Sequence, residues 1–299
     1  MAISLSGMRL AVLGSGSGGN ATLVKTSEGV FMIDAGLSAK QLTLRMESCG
    51  VSPADLAGIL VTHEHGDHTR GLEVFIRKNN VPIYATALTH EVLAQKLPTI
   101  KNWRLFEAGQ SFSLCGVEVA SHRIPHDAVD PVAFSFRRGE AHAALLTDLG
   151  HANERLMDSL RGVQTMVLES NYCDQLLAED DKRPWSLKQR ISSRHGHLSN
   201  EQALTIAREL QSCGLSRVIL GHLSRDCNTS AVARSVFEKL ELTELVVAEQ
   251  DVPSSWMDVE GALAEEAVKT IMPFPSLMNE KTGQIELDFF SGELAAEIG

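Results

Sequence analysis

The stretch VTHEHGDH, Val61–His68, gathers three histidines and two acidic residues into the six positions from His63 to His68. The run before it, LAGILV from Leu56 to Val61, is short and apolar, as a buried strand requires, and Gly71 to Arg77 after it reads as a helix. The cluster therefore sits on a strand-to-helix loop. On a helix, His63 and His65 would point roughly 200° apart; a loop that reverses at Gly66 lets these side chains converge on one point. Five ligand-type residues in six positions point to metal binding rather than to a solvated loop. The pattern H-x-H-x-D-H offers two ligand sets, His63 with His65 for one cation and Asp67 with His68 for a neighbour. Imidazole combined with carboxylate suits zinc, manganese or iron.

Further ligands are expected where other strands end. His126 in RIPHDAVDP, Asp148 in ALLTDLG and His222 in VILGHLS each follow an apolar strand-like run and precede turn chemistry. Asp148 is the natural bridge, because one carboxylate can bind two ions. Working outward, the N-terminal residues read as strands and turns: MRLAVLGSG, NATLVKT, a SEG turn and VFMIDAG. Gly14, Gly16 and Gly19 fit the GxGxxG spacing of dinucleotide-binding loops, but that fingerprint requires a helix next. NATLVKTSEGVFMID is strand-like, so the glycines are read as a tight strand connection near the site. Helices are expected near 89–96, 153–160 and 199–212, between strands VPIYAT, VAFSFRR, HAALLTD, VQTMVLES, SRVILGHLS and TELVVAEQD. This order predicts an α/β (α+β) protein with two mixed sheets and outer helices, an αββα layering.

The chain has 299 residues, 43% of them apolar, enough for a full core. Its five cysteines are odd in number, widely spaced and form no CxxC, which argues against a disulfide framework and suits a reducing cytoplasm. Neither a signal peptide nor a membrane span is expected. The net charge of −11 is uneven: Met257 to Gly299 holds nine acidic residues against Lys269 and Lys281, a net of −7. Residues 1–256 are therefore read as the folded domain and 257–299 as an acidic extension. Lys182, Arg183, Lys188, Arg190 and Arg194 form a basic run beside His195 and His197.

THEHGDH, DAG, HDA, TDLG and GHLS, in this order, resemble the metallo-β-lactamase fold superfamily in its two-metal hydrolase branch, over about residues 8–252. LESNYC, RPWSLKQRISSRHGHLSNEQA and GHLSRDCN are more specific and look like the YycJ/WalJ-like exonuclease family. The resemblance implies 5′-to-3′ hydrolysis of DNA with two divalent ions per chain, manganese or zinc, or else iron. It places His63, His65 and His126 at the first metal, Asp67, His68 and His222 at the second, and Asp148 between them. β-Lactamases of this fold carry a cysteine where Asp148 stands, and di-iron oxygen reductases a glutamate where His65 stands; neither departure occurs here. The arm of transfer-RNA 3′-processing enzymes is absent too.

For phosphodiester cleavage, Asp67 and His197 are the expected catalytic residues, His197 protonating the leaving oxygen from just ahead of the helix that begins at Ser199. Backbone amides at that helix start favour an anion. Arg190, Arg194, Ser199 and Asn200 are expected to grip phosphate, with Arg225 a weaker candidate, and Asp34 to orient a ligand imidazole. His90, His122, His142, His151 and His195 are read as surface or satisfied core residues. The alternative function is a small-molecule hydrolase of cyclic phosphodiesters, thioesters or lactones, which would not need the basic run.

Overall fold

Strands β1 (Met8–Gly14), β2 (Ala21–Thr26) and β3 (Gly29–Ile33) form an antiparallel meander, and helix α1 (Ala39–Ser48) leads on to β4 (Leu56–Leu60). A one-turn helix α2 (Gly66–Thr69) and α3 (Leu72–Asn79) follow, then β5 (Ile83–Thr86), α4 (Ala87–Lys96) and β6 (Trp103–Phe106). The chain continues through β7 (Ser111–Leu114), β8 (Val117–Arg123), β9 (Val132–Arg138), β10 (Ala141–Leu146), α5 (Glu154–Ser159) and β11 (Thr165–Glu169). After these come α6 (Asp174–Glu179), α7 (Trp185–Ile191), α8 (Asn200–Gln211), β12 (Arg217–Gly221), α9 (Ser230–Phe237), β13 (Glu244–Val247) and β14 (Met257–Val259). The structure is a computed structural model and describes residues 7–259.

The strands form two seven-stranded mixed sheets, ordered β14-β1-β2-β3-β4-β5-β6 and β13-β12-β11-β10-β9-β8-β7. Alternation of side chains along each strand sorts the core into three layers. Met8, Leu10 and Val12 of β1 and Phe31 and Ile33 of β3 meet Phe134, Phe136, Ala143 and Leu145 between the sheets. On β11, Val167 joins this inner layer, while Met166 and Leu168 turn outward under α8, whose Ala203, Leu204, Ala207 and Leu210 cover them. On the other face Leu42 and Met46 of α1 and Leu72 and Phe75 of α3 cover Leu23, Met32 and Ile59. Full burial of Phe31, Phe134 and Phe136 stabilises the inner layer by roughly 1.5–3 kcal/mol each. The αββα layering expected from the sequence is the observed one.

Within each sheet one block is parallel, β3 to β6 in the first and β10 to β13 in the second. In such blocks all carboxyl ends open at one edge, the place where α/β sheets put their ligands. The expected domain boundary after residue 256 falls inside the first sheet: Met257, Asp258 and Val259 pair with Leu10, Arg9 and Met8 of β1. The rest of the acidic extension lies outside the described residues. Among the described residues, no helix is long and apolar enough to cross a membrane.

Candidate metal centre

Three site residues leave their strands through the same backbone device. Asp34 follows β3, Asp148 stands two residues past β10 and His222 follows β12, with φ of +58°, +57° and +54°. Left-handed backbone is costly for residues with a Cβ, on the order of 1–3 kcal/mol each, so packing on every side must hold it. The conformation ends pairing abruptly and swings each side chain over the sheet edge. The loop after β4 arrives beside them. It turns at Gly66, where Gly66–Thr69 wind into α2 with His65 at the N-cap. Asp34 to Gly36 are laced to this turn: Ala35 N donates to His68 O, and Asn20 N donates to Asp67 O. A Cβ on Gly36 would lie 1.6 Å from Asp67 O, so this approach requires glycine. The Gly14–Gly19 stretch joins β1 to β2 with no helix, as expected, and Asn20 Nδ2 ends 3.3 Å from His68 Nε2.

Most of the imidazoles spend one nitrogen on an outer partner and aim the other inward. His63 Nδ1 is 3.0 Å from Thr62 Oγ1, and His68 Nδ1 is 2.7 Å from Asp34 Oδ2. His126 Nδ1 is 3.1 Å from Gly196 O, and His222 Nδ1 is 2.9 Å from Glu169 Oε1. Inside, four groups each bring their ligand atoms within 4.8 Å: His63, His65 and His126; Asp67, His68 and His222; His63, His68 and Asp148; and Asp148, Glu169, His197 and His222. Asp148 faces both sides, Oδ2 lying 2.9 Å from His68 Nε2 and Oδ1 3.6 Å from His126 Nε2. Fixing one imidazole nitrogen from outside orients the other, the usual architecture around a metal.

The donor set fits a divalent metal. His63 is 1% exposed, yet its Nε2 has no hydrogen-bond partner, and Asp148 Oδ2 approaches His68 without hydrogen-bond alignment. Unpaired buried polar atoms are expensive, and a bound divalent cation would satisfy them. The field agrees. Burial alone would raise the Asp148 carboxyl and lower the His222 imidazole, but their proximity reverses both: Asp148 is held well below the carboxylate range, and His222 is pushed up to about 10 by Asp148, Asp67 and Glu169. Burial is likewise overcome at Asp67, which His222 and His68 hold low, and at His68, which Asp148 and Asp34 hold high. A negative field that retains protons on His68 and His222 equally favours a cation there. His63 lies lower than usual, through burial and its neighbour His68.

Opposite the ligands, α7 and the following turn close a cavity of about 240 Å³. His197 is placed here with Nδ1 2.8 Å from Glu169 Oε1. Burial would lower its pKa, but Glu169 beside it raises it above the ordinary imidazole value. Sequence reasoning missed Glu169. It is fully buried and also accepts from Leu149 N and Leu198 N, so one carboxylate fixes His197, His222 and two loops. Arg190 lines the cavity with its Nε 2.5 Å from Asp127 Oδ2, and Arg183 lines it while paired to Asp180 and Asp226.

Other expected contacts fall elsewhere. Arg194 turns away from the cavity and donates to His151 Nε2 at 2.8 Å. Ser199 and Asn200 are each 2% exposed: Ser199 caps α8 reciprocally with Gln202, and Asn200 bonds Ser170 and Asn228. Because Leu198, Ser199 and Asn200 N–H are all taken, the α8 start has little to offer an anion. Arg225 is exposed and lies beside Gly18, next to the cavity-lining Ser17. Glu64 leaves the cluster and accepts from Val129 N. His142 and His122 are buried or half-buried and bonded, His142 by Arg137 and His122 by Ser135 and Ser159; His90 packs on Trp103, His151 bonds Arg194, and His195 is exposed.

Two mixed sheets under outer helices, with a His/Asp cluster at their common edge, define the metallo-β-lactamase fold and a divalent-metal site on it. Residues 30–223 match the family model described as beta-lactamase superfamily domain. The chain belongs to that superfamily, within the group of the YycJ/WalJ exodeoxyribonucleases. It is 36% identical to exodeoxyribonuclease YycJ of Bacillus anthracis over 239 residues, 79% of this chain and 90% of that one. It is 32% identical to exodeoxyribonuclease WalJ of Streptococcus pneumoniae, covering 76% and 86% of the two chains. The solved metallo-β-lactamase fold protein YhfI of Bacillus subtilis superposes with a TM-score of 0.66 at 17% identity, over 83% of this chain and 99% of that one; this likeness concerns the fold alone. Family and site together make the chain a metal-dependent hydrolase acting on ester bonds.

Proposed function

We propose that this chain is a dinuclear metal-dependent phosphodiesterase that degrades DNA from an end in the 5′-to-3′ direction. One observation carries the reading: a single cavity is lined by the metal-ligand cluster on one wall and by His197, Arg183 and Arg190 on the other. That is the arrangement phosphoryl chemistry needs, and the curated relatives bear the name exodeoxyribonuclease. His63, His65 and His126 would hold one ion, Asp67, His68 and His222 the second, with Asp148 shared; manganese or zinc suits the set, and iron also fits it. Such ions lower the pKa of bound water to near neutrality and stabilise charge on the attacked phosphoryl group.

The side chains supply the rest. Asp67, the most exposed carboxylate of the set at 23%, borders the cavity and accepts a hydrogen bond from the attacking water. Asp34 keeps His68 Nε2 aimed inward. Arg190 exchanges Asp127 for the substrate phosphate, a charge-assisted contact of the same geometry. His197, its Nδ1–H held by Glu169, whose carboxylate favours the imidazolium, would present Nε2 to the cavity and give that proton to the leaving oxygen, leaving a neutral ring that Glu169 keeps in the Nδ1–H tautomer until Nε2 is reprotonated from solvent. A small-molecule substrate would leave the basic α7 wall without a role. Free thiols at all five cysteines suit a cytoplasmic setting.

The test is incubation of metal-reconstituted protein with duplex and single-stranded DNA labelled at either end, RNA, a chromogenic phosphodiester and a thioester. Expected is mononucleotide release from the 5′ label, weakening as salt rises because cationic side chains meet phosphates. Turnover of the thioester without any shortening of DNA would sink the proposal.

A further inference from the structure

Trp185, at the first position of α7, is 71% exposed, the most exposed large apolar side chain among the described residues. The other two tryptophans are tied down, Trp103 donating its indole N–H to Ile100 O and Trp256 to Cys49 O. The Trp185 indole makes no such bond and no ring contact among the described residues. The segment that carries it is basic, although Lys182 and Arg183 pair with Asp226, Arg183 also with Asp180, and Arg190 with Asp127, partners a phosphate would have to displace. From Lys182 to Arg194 the chain holds five lysines and arginines and no acidic residue. Helix α7 buries none of its residues completely, so core packing does not explain the tryptophan.

The helix has two useful faces. Leu187, Arg190 and Ile191, spaced three and four apart, line the cavity. Trp185 lies roughly 200° round from Leu187 and turns to solvent. A strand whose end enters the cavity and whose phosphates follow the basic side chains crosses α7. The helix is roughly 10 Å across, a span of about three nucleotides for a strand that keeps the stacked rise of about 3.4 Å of duplex DNA and fewer for an extended one.

We infer that Trp185 is a stacking platform for an unpaired nucleobase of the DNA strand, about three nucleotides from the bond being cleaved. The inference rests on the DNA reading above. Phosphate contacts alone hold a strand without fixing its bases, whereas an indole takes the π-face of any base, so the grip remains indifferent to sequence. A processive or end-trimming nuclease requires that indifference.

The test is a cycle between protein and ligand. Metal-loaded wild type, Trp185→Ala and Trp185→Phe are titrated with cleavage-resistant phosphorothioate single strands that differ only in the position of one abasic site. Wild type should lose roughly 5- to 150-fold in affinity when the abasic site falls about three nucleotides from the end. Trp185→Ala should bind the intact strand more weakly by the same factor and be insensitive to the abasic site there; Trp185→Phe should recover part of both. Intact-strand binding by Trp185→Ala equal to wild type overturns the inference, as does an unchanged abasic profile. Loss of self-association in Trp185→Ala with DNA binding intact overturns it in favour of a protein contact. A wild type that binds none of the strands overturns the DNA reading itself, a result distinguishable from the others.

Discussion

The two walls of the cavity are built on opposite principles. On the metal wall His63, His68, Asp148 and His222 are at most 3% exposed, and Asp34, Asp148 and His222 are held in left-handed backbone by what surrounds them. On the facing wall α7 buries no residue, and Arg190 is 64% exposed with Asp127 as its partner. Metal ligands must be fixed before the ion arrives, since each imidazole that has to reorient weakens binding. A wall that meets a moving strand must instead let go after each cut. Rigidity and exchange are thus divided between two surfaces, and substitutions on them should fail differently.

The largest effect belongs at Asp148. Asp148→Asn keeps the side-chain shape and tolerates the left-handed backbone, yet removes the charge that faces both halves of the cluster. Metal content should fall at both positions and turnover should drop to background. Elemental analysis showing full occupancy of two ions would break the assignment of Asp148 as the shared ligand. His63→Ala should affect mainly one ion, and His222→Ala mainly the other.

Next comes His197, which joins the walls through Glu169. His197→Ala should keep both metals and the fold and lose on the order of 10² to 10⁴ in turnover of DNA. The loss should be far smaller on a nitrophenyl phosphodiester, whose leaving group needs little protonation. Glu169→Gln should reproduce that substrate dependence in milder form. Equal losses on the two substrates would make His197 a phosphate-positioning residue, and loss of metal would make it a ligand.

What the sequence made legible follows the same division. Candidate ligands in one loop announce themselves because their chemistry is local: proposing His63 to His68 needed only spacing, and proposing His126, Asp148 and His222 only the recurrence of an apolar strand before a turn. Glu169 could not be found that way. It is one acidic residue at the end of TMVLE, and its role comes from register, since it pairs with Gly221 and so stands beside His222. An acidic residue closing an apolar strand in a parallel block was the available signal. Ser199 and Asn200 were misread because one signature serves two purposes: a helix start that could cradle an anion is also one that can cap itself, and here the capping box wins. The basic run was read as a unit, although α7 ends at Ile191 and Arg194 lies beyond it, facing another way.

Asp34 tests the rigid wall more gently. Asp34→Asn can still accept from Thr62 N, but it no longer offers a carboxylate 2.7 Å from His68 Nδ1. Metal affinity should fall roughly 10- to 100-fold, and activity should return when metal is raised to saturation. Activity that stays low at full occupancy would mean that Asp34 acts on chemistry and not on ligand orientation.

The smallest expected effect separates two arginines four residues apart. Arg190→Ala should raise KM for DNA by roughly two- to five-fold, the scale of an exposed charge contact, with kcat on the chromogenic ester little changed. Arg194→Ala should leave KM for DNA within error, because its guanidinium is spent on His151, outside the cavity. Both substitutions remove one positive charge from the same surface, so a purely diffuse field would make them equal, and raising salt beyond the Debye length between charge and strand would erase both effects together. A difference that survives at 0.3 M salt therefore reports the direct contact made by Arg190, and only that outcome supports an exchangeable wall in which Asp127 and the phosphate compete for one guanidinium. Adding Asp127→Asn sharpens the point: freed of its competitor, Arg190 should hold DNA more tightly and release product more slowly, lowering KM and kcat together.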